Sequence, residues 1–183
     1  MKQVADEETA EILKNARECL KVPGDFVELG CYEGDTSLLL AEIVKALRKL
    51  WIYDSFEGLP DKTAEDDSAA GVDFKKGELF VTKREVKQRF LRANLPVPVI
   101  KKGWFEDLDA EKDLPEKIAF AFLDGDLYQS IKTSLDLVLP KLVKGGVVIV
   151  HDYNNPQLPG VARAVDERLK NGEVKASLFI FRG

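Results

Sequence analysis

Short apolar runs alternate along this chain with stretches in which apolar residues recur every three or four positions, the signature of strands and amphipathic helices taken in turn. Ile12, Leu13, Ala16, Cys19 and Leu20 fall on one helical face, so residues 1–22 read as an N-terminal helix stopped at Pro23-Gly24. Asp25 to Leu29 is a first strand, followed by a glycine turn and a helix carrying Leu39, Leu40, Ile43, Val44 and Leu47. Leu50 to Tyr53 is a second strand, Thr82 and Glu85 form a capping box for a helix reaching about Asn94, and Val97 to Ile100 is a third strand. Ile118 to Leu123 is apolar throughout, as expected of a strand covered on both faces. A helix with Ile131, Leu135, Val138, Leu139 and Leu142 leads through Gly145-Gly146 into a fifth strand, Val147 to Val150. Pro159 opens a last helix with Val161, Val165 and Leu169 at core spacing, and Ala176 to Phe181 closes as a terminal strand. The alternation predicts an α/β fold: one mostly parallel sheet with helices on both faces, in a single domain spanning 1–183.

One stretch breaks the pattern. Residues 60–80 have no period and hold Glu65-Asp66-Asp67 beside Ala69-Ala70-Gly71, which reads as a long mobile surface loop of the kind that serves as a lid. At 183 residues the chain has room for one core and hardly for two. The formal charge of −5 argues against a general nucleic-acid binder, because the basic pairs Lys75-Lys76 and Lys101-Lys102 are surrounded by acids. No run approaches the roughly 18 apolar residues of a membrane span, and the N-terminus has no signal-peptide core. Cys19 and Cys31 fall on a helix and in a glycine loop, so a disulfide framework is not expected and a reducing cytoplasm fits.

Two clusters carry chemistry. The first strand runs into Glu28-Leu-Gly30-Cys31-Tyr32-Glu-Gly34-Asp-Thr36-Ser37, an E-x-G-x-x-x-G pattern at a strand-to-helix turn. Glycines there let a backbone approach a ligand. Glu28 stands where an acid can receive the ammonium of an amino-acid ligand, and Asp54 ends the second strand where a carboxylate can accept both ribose hydroxyls. A ligand with an amino-acid end and a ribose is S-adenosylmethionine (SAM). A nicotinamide dinucleotide is the rival, but its fingerprint is G-x-G-x-x-G and position 32 here is Tyr. Ser55 and Phe56 after Asp54, and Trp104 and Phe105 after the third strand, are further candidates for the cofactor wall, with ordinary core packing as the alternative for the aromatics.

The second cluster is Asp124-Gly125-Asp126 after strand four and His151-Asp152 after strand five. Neighbouring strands lie about 4.8 Å apart, so if these two are adjacent, Asp124 and Asp152 end side by side, and a divalent cation is one remedy for their repulsion. The alternative is that one carboxylate caps the following helix and the other bonds loop amides. Consecutive strand residues point to opposite faces, so His151 and Asp152 can share a metal only if the strand has already broken. Residue chemistry alone favours a hydrogen-bonded structural role for His151, the single histidine of the chain.

Taken in order, Gly24-Asp25-Phe-Val-Glu28-Leu-Gly30, Tyr53-Asp54-Ser55-Phe56-Glu57-Gly58-Leu-Pro60, Gly103-Trp104-Phe105-Glu106-Asp107, Leu123-Asp124-Gly125-Asp126-Leu-Tyr128, Gly145-Gly146-Val-Val-Ile-Val-His151-Asp152-Tyr153 and Val161-Ala-Arg163-Ala-Val165-Asp166-Glu167 resemble the macrocin O-methyltransferase family (the TylF/MycF type), within the class I methyltransferases. The resemblance implies a Rossmann-like sheet of order 3-2-1-4-5 plus the terminal strand, and transfer of a methyl group from SAM to a hydroxyl of a small molecule, commonly a sugar, with help from Mg²⁺. It implies that Asp124 binds metal and serves as base, that Asp152 is a second metal ligand, and that His151 stands where the family has an acid. A histidine ligand would shift preference from Mg²⁺ towards Mn²⁺. A nicotinamide-dependent oxidoreductase and a SAM-binding domain without transferase activity are the other classes considered, and homodimerisation is left open.

Overall fold

The apolar runs line up as neighbours because only a sheet can pair their backbones while both faces are covered. The computed structural model describes residues 4–70 and 74–183, so the start of the expected 1–22 helix and residues 71–73 of the expected lid loop lie outside the described residues. Seven strands form one sheet: β1 (Asp25–Leu29), β2 (Leu50–Asp54), β3 (Val99–Lys102), β4 (Ile118–Leu123), β5 (Leu142–Val150), β6 (Glu173–Lys175) and β7 (Leu178–Arg182). Their order is β3-β2-β1-β4-β5-β7-β6, with the first five parallel and β7 antiparallel to both neighbours. The expected 3-2-1-4-5 order is present, and the single terminal strand proves to be a hairpin, because the chain turns back at Ala176, which takes a left-handed φ of 50°.

The helices are α1 (Asp6–Cys19), α2 (Asp35–Val44), α3 (Lys83–Arg92), the short α4 (Ala110–Asp113), α5 (Tyr128–Val138) and α6 (Pro159–Arg168). Among the described residues no helix is long and apolar enough to cross a membrane. Several boundaries differ from the periodic reading. The expected 1–22 helix runs only over Asp6–Cys19, because the chain turns at Leu20 ahead of Pro23-Gly24, and the third strand is Val99–Lys102, two residues later than expected. α2 stops at Val44, where Lys45 takes φ 43°, and Leu47 is left 70% exposed instead of in the core. Leu142 belongs to β5, not to the preceding helix.

Alternation along the strands divides the core into two layers. Phe26, Phe120, Phe122 and Ile149 pack with Ile12, Leu40 and Phe90 of α1, α2 and α3. Val27, Ala121, Leu123 and Val150 pack with Ile131, Leu135 and Val165 of α5 and α6. The terminal hairpin straps α1 to the sheet: Arg182 Nη2 donates to Asn15 Oδ1 at 2.7 Å and Lys175 Nζ to Glu11 Oε1 at 3.1 Å.

The aperiodic loop is pinned at Asp66, and again at Ser68, whose hydroxyl donates to Pro156 O at 2.7 Å. Asp66, 2% exposed, accepts the Tyr128 N–H at 2.6 Å through Oδ1 and the Thr63 N–H and hydroxyl through Oδ2. Leu127 at the N-cap of α5 offers no side-chain acceptor, so the loop supplies it from 62 residues away. Gly160 of α6 makes the space: a Cβ there would stand 2.1 Å from Asp66 Oδ1. Asp66→Ala is expected to lower stability by about 1–2 kcal/mol, the scale of a lost N-cap, read as a lower urea midpoint at unchanged slope. An unchanged midpoint would mean that the cap does not contribute.

Candidate active site

The ladder continues one residue past the strand ends. Gly30 N–H donates to Tyr53 O at 2.9 Å, Asp124 N–H to Leu29 O at 2.8 Å and His151 N–H to Leu123 O at 3.0 Å. At that level β1 and β4 come so close that a Cβ on Gly30 would lie 2.0 Å from the Asp124 carbonyl oxygen, and Gly30 has φ 87°. No other residue fits there. Beyond Gly30 the chain swings away into α2, with Gly34 at its N-cap at φ 84°, and a crevice opens above the sheet.

Asp54 organises the floor of that crevice. Its Oδ2 accepts the Cys31 and Tyr32 N–H groups at 3.0 and 3.2 Å, and its Oδ1 accepts the Phe56 N–H at 2.8 Å. A cavity of about 500 Å³ runs from here to the end of β5. Of the sequence candidates, Gly30, Cys31, Tyr32, Asp54, Ser55, Trp104, Phe105, Asp124, His151 and Asp152 line it. So do Pro60, Phe74 and Leu79 of the aperiodic loop. Six acids line this cavity (Glu33, Asp54, Glu106, Asp124, Asp126 and Asp152) and, among the described residues, no lysine or arginine.

Glu28 and Thr36 line a second cavity of about 420 Å³ that meets the first at Gly30, Cys31, Tyr32, Glu33 and Asp124. Ser37 is fully buried and donates its hydroxyl to Glu28, and Phe56 is in the core. Gly34 lines neither cavity. Glu28 is 1% exposed. Burial first, and the nearby Asp124 and Asp54 charges after it, push its carboxyl up to about 8 despite the Ser37 hydroxyl.

The second cluster depends on register. Phe122 pairs with Ile149 and Leu123 with Val150, so Asp124 is level with His151, one residue earlier than Asp152. Asp124 and His151 therefore emerge on the α1 side of the sheet. Asp152 would point the other way, but β5 has ended at Val150 and Asp152 takes φ 60°, which turns its side chain back. His151 Nδ1 lies 3.0 Å from Asp124 Oδ1 and 3.0 Å from Asp152 Oδ2. One donor atom from each of the three residues lies within 4.8 Å of the others. Asn155 Nδ2 donates to the other oxygen of Asp152 at 2.9 Å. Burial opposes a charge on the imidazole, yet the Asp124 and Asp152 carboxylates overcome it and push His151 up to about 12. Asp126, half-buried with φ 61°, is raised well above the carboxylate range by burial and then by Asp124 and Asp152.

Sequence reasoning missed Glu8. This α1 carboxylate is 8% exposed, and its Oε2 stands 3.3 Å from His151 Nε2. It sits among Asp6-Glu7-Glu8, an acidic first turn indistinguishable from ordinary helix capping. Nothing in the pattern of residues singles it out.

The comparisons with known proteins agree with this geometry. The family profile described as Macrocin-O-methyltransferase (TylF) matches residues 7–180. Demethyldecarbamoylnovobiocin O-methyltransferase of Streptomyces niveus is 34% identical over 171 residues, which cover 85% of this chain and 64% of that protein. A tetracenomycin-C 4'-O-methyltransferase of Streptomyces olivaceus, whose full description is 8-demethyl-8-(2,3-dimethoxy-alpha-L-rhamnosyl)-tetracenomycin-C 4'-O-methyltransferase, is 34% identical over 145 residues, 72% of this chain and 54% of that one. The solved structure of the O-methyltransferase NovP superposes with a TM-score of 0.76 at 30% identity, covering 93% of this chain and 78% of its own. This chain belongs to the macrocin O-methyltransferase family. It spans less than two thirds of the length of the first two of these relatives.

The raised Glu28 makes stability depend on pH with a definite sign. The folded state keeps this proton up to about pH 8, while an unfolded carboxyl releases it near its ordinary value of 4.5. The contribution is therefore complete below pH 4.5 and is lost as pH rises towards 8. Relative to Glu28→Gln, the ligand-free protein is expected to lose up to about 1.4 kcal/mol per pH unit across that window. Parallel pH profiles of urea unfolding for the two proteins would show that Glu28 is ionised when folded.

Proposed function

We propose that this chain transfers a methyl group from SAM to a hydroxyl of a small molecule, a sugar or another vicinal diol, with the help of a divalent cation. The observation that carries the reading is the charge of the main cavity: among the described residues six acids face it and neither lysine nor arginine does. Such a site suits a ligand bearing a sulfonium and an ammonium. It is hostile to the pyrophosphate of a nicotinamide dinucleotide. Tyr32, standing where the dinucleotide fingerprint needs its second glycine, argues the same way. The named activities of the two Streptomyces relatives are O-methylations, which supports the reaction class.

In this reading Asp54 receives the ribose hydroxyls while it holds the glycine loop through Cys31 and Tyr32, and Trp104 and Phe105 wall the base. Glu28 receives the ammonium from the second cavity. Methyl transfer is an in-line displacement, so the acceptor oxygen must approach the methyl carbon opposite the sulfur. Asp124 lines both cavities, so it stands beside cofactor and acceptor together and serves as the base that takes the hydroxyl proton. Pro60, Phe74 and Leu79 of the loop act as a lid that excludes water, with Asp66 and Ser68 as its fixed points.

The Asp124, His151 and Asp152 donors fit a divalent ion. One imidazole nitrogen and two carboxylate oxygens, within 4.8 Å of one another, are a donor set that would hold such an ion. The nitrogen ligand favours Mn²⁺ over Mg²⁺. An ion held there would lower the pKa of the acceptor hydroxyl and so lighten the task of Asp124.

Calorimetry is expected to give SAM binding and no NAD binding, with Asp54→Ala weakening SAM by roughly 1–3 kcal/mol. NAD binding, or an unaffected Asp54→Ala, would overturn the cofactor assignment. With a panel of glycosides and diols as acceptors, EDTA is expected to abolish transfer while sparing SAM affinity, and Asp124→Asn to slow transfer by about 10²-fold. Full activity in EDTA removes the metal. SAM binding with transfer to no acceptor leaves a SAM-binding domain. Hydrogen exchange flanking Asp66 is expected to slow when SAM and acceptor bind; equal exchange in both states would reduce the loop to plain surface.

A further inference from the structure

The reaction leaves one buried carboxylate unused. Glu8 belongs to α1, outside both strand-end motifs, and yet it meets the imidazole that stands at the centre of the acid cluster. Every partner it has among the described residues donates a hydrogen to it. Its Oε2 accepts the Ala5 N–H at 3.1 Å, and its Oε1 accepts the Ser177 N–H at 3.1 Å and the Ser177 hydroxyl. A carboxylate so occupied has no hydrogen to give, so the contact with His151 Nε2 requires that nitrogen to be the donor. Nδ1 also faces acceptors, Asp124 Oδ1 and Asp152 Oδ2 at 3.0 Å each, so the ring carries hydrogen on both nitrogens. A cation between the carboxylates would take the place of the Nδ1 hydrogen, and the hydrogen held by Glu8 then leaves the lone pair on Nδ1. The ring cannot turn away from this arrangement without cost, because it is 5% exposed and packs at 6.1 Å, centroid to centroid, from Phe122.

We infer that Glu8 is a positioning residue for a divalent-cation site. By holding the Nε2 hydrogen it fixes the tautomer and angle of His151 so that Nδ1 completes the ligand set with Asp124 and Asp152. The inference rests on the proposed metal assistance and adds to it the residue that makes a histidine usable where the resemblance leads one to expect an acid. A carboxylate ligand needs no such support, since either oxygen coordinates in either orientation. An imidazole has one lone pair, and it must be aimed. Glu8 is itself aimed by the turn between β6 and β7, so the C-terminal hairpin reaches the metal position through Ser177, Glu8 and His151 in succession.

Mn²⁺ is the probe, read by electron paramagnetic resonance of the free ion for affinity and by ¹⁴N electron spin-echo modulation for the nitrogen ligand, neither of which needs the methyl acceptor. Wild-type protein is expected to bind Mn²⁺ with nitrogen modulation, and His151→Ala to lose the modulation. Glu8→Gln is expected to weaken Mn²⁺ about 10- to 100-fold, the range for lost outer-shell partners of a ligating histidine. Arg182→Ala, which removes a bond between α1 and the hairpin without touching Glu8, Ser177 or His151, serves as the structural control and should shift affinity less than threefold. Mn²⁺ bound with nitrogen modulation but equally tightly by Glu8→Gln overturns the role of Glu8 and leaves the metal reading standing. Mn²⁺ bound without nitrogen modulation removes His151 as a ligand and the inference with it, and no Mn²⁺ binding by the wild type overturns both readings. Should Glu8→Gln fail to fold, the wild type decides alone. It has one histidine, so a long-range ¹H–¹⁵N spectrum of the Zn²⁺-loaded protein reports a single imidazole. A hydrogen on Nε2 is expected, and a hydrogen on Nδ1 would overturn the inference.

Discussion

The candidate site depends on the register between β4 and β5. Because Leu123 pairs with Val150, the next residues out, Asp124 and His151, stand level and on the same side of the sheet. A slip of one residue would bring Asp124 level with Asp152 and turn one strand's side chains to the opposite face. Burial on both faces forbids the slip: Phe120, Phe122 and Ile149 fill one layer while Ala121, Leu123 and Val150 fill the other, all at 0% exposure. Gly30 then fixes the third edge of the site, since its backbone and that of Asp124 touch where any side chain would collide. Packing in the core, not attraction among the acids, is what brings the polar groups together. They are held near one another against their own repulsion.

That repulsion gives the site its character. Glu28, Asp54, Asp124, Asp126 and Asp152 crowd the ends of four strands, and among the described residues His151 is the one basic side chain that reaches them. The protein answers in three ways: Glu28 and Asp126 are pushed towards their neutral forms, Asp54 is satisfied by backbone N–H groups, and His151 sits between two carboxylates. A site with this much unbalanced negative potential is prepared for positively charged occupants, and both members of the proposed pair, a sulfonium cofactor and a divalent cation, bring that charge.

Strand positions were legible in the chain because buried parallel strands must be apolar on both faces, which Ile118 to Leu123 shows plainly; the order of the strands came from the family resemblance instead. The glycine loop and the acids after strands one, two, four and five were legible because ligands in such sheets gather beyond the carboxyl ends. What escaped the sequence was long-range. The hairpin looked like one strand because Ala176 carries no turn signature, and Leu47 kept the helical spacing although the helix had ended. Asp66 looked like one more acid of a surface loop, and Glu8 like one more acid of a helix start. Each acquires its role only from a residue far away in the chain, Tyr128 in one case and His151 in the other, and no local pattern encodes such a meeting.

The strap across α1 bears on how the chain comes together. Glu8 and Ser177 are 169 residues apart, Asn15 and Arg182 are 167, and Glu11 and Lys175 are 164. During synthesis the first helix emerges long before the hairpin that fastens it exists, so it must wait, lightly held, until nearly the whole sheet has been made. Contacts of this span carry the largest loop-closure cost and form late. The contact between Glu8 and His151 spans 143 residues, so it carries a closure cost that the pairing of β4 with β5 does not. Completion of the site therefore requires that α1 and the β6–β7 hairpin have already met.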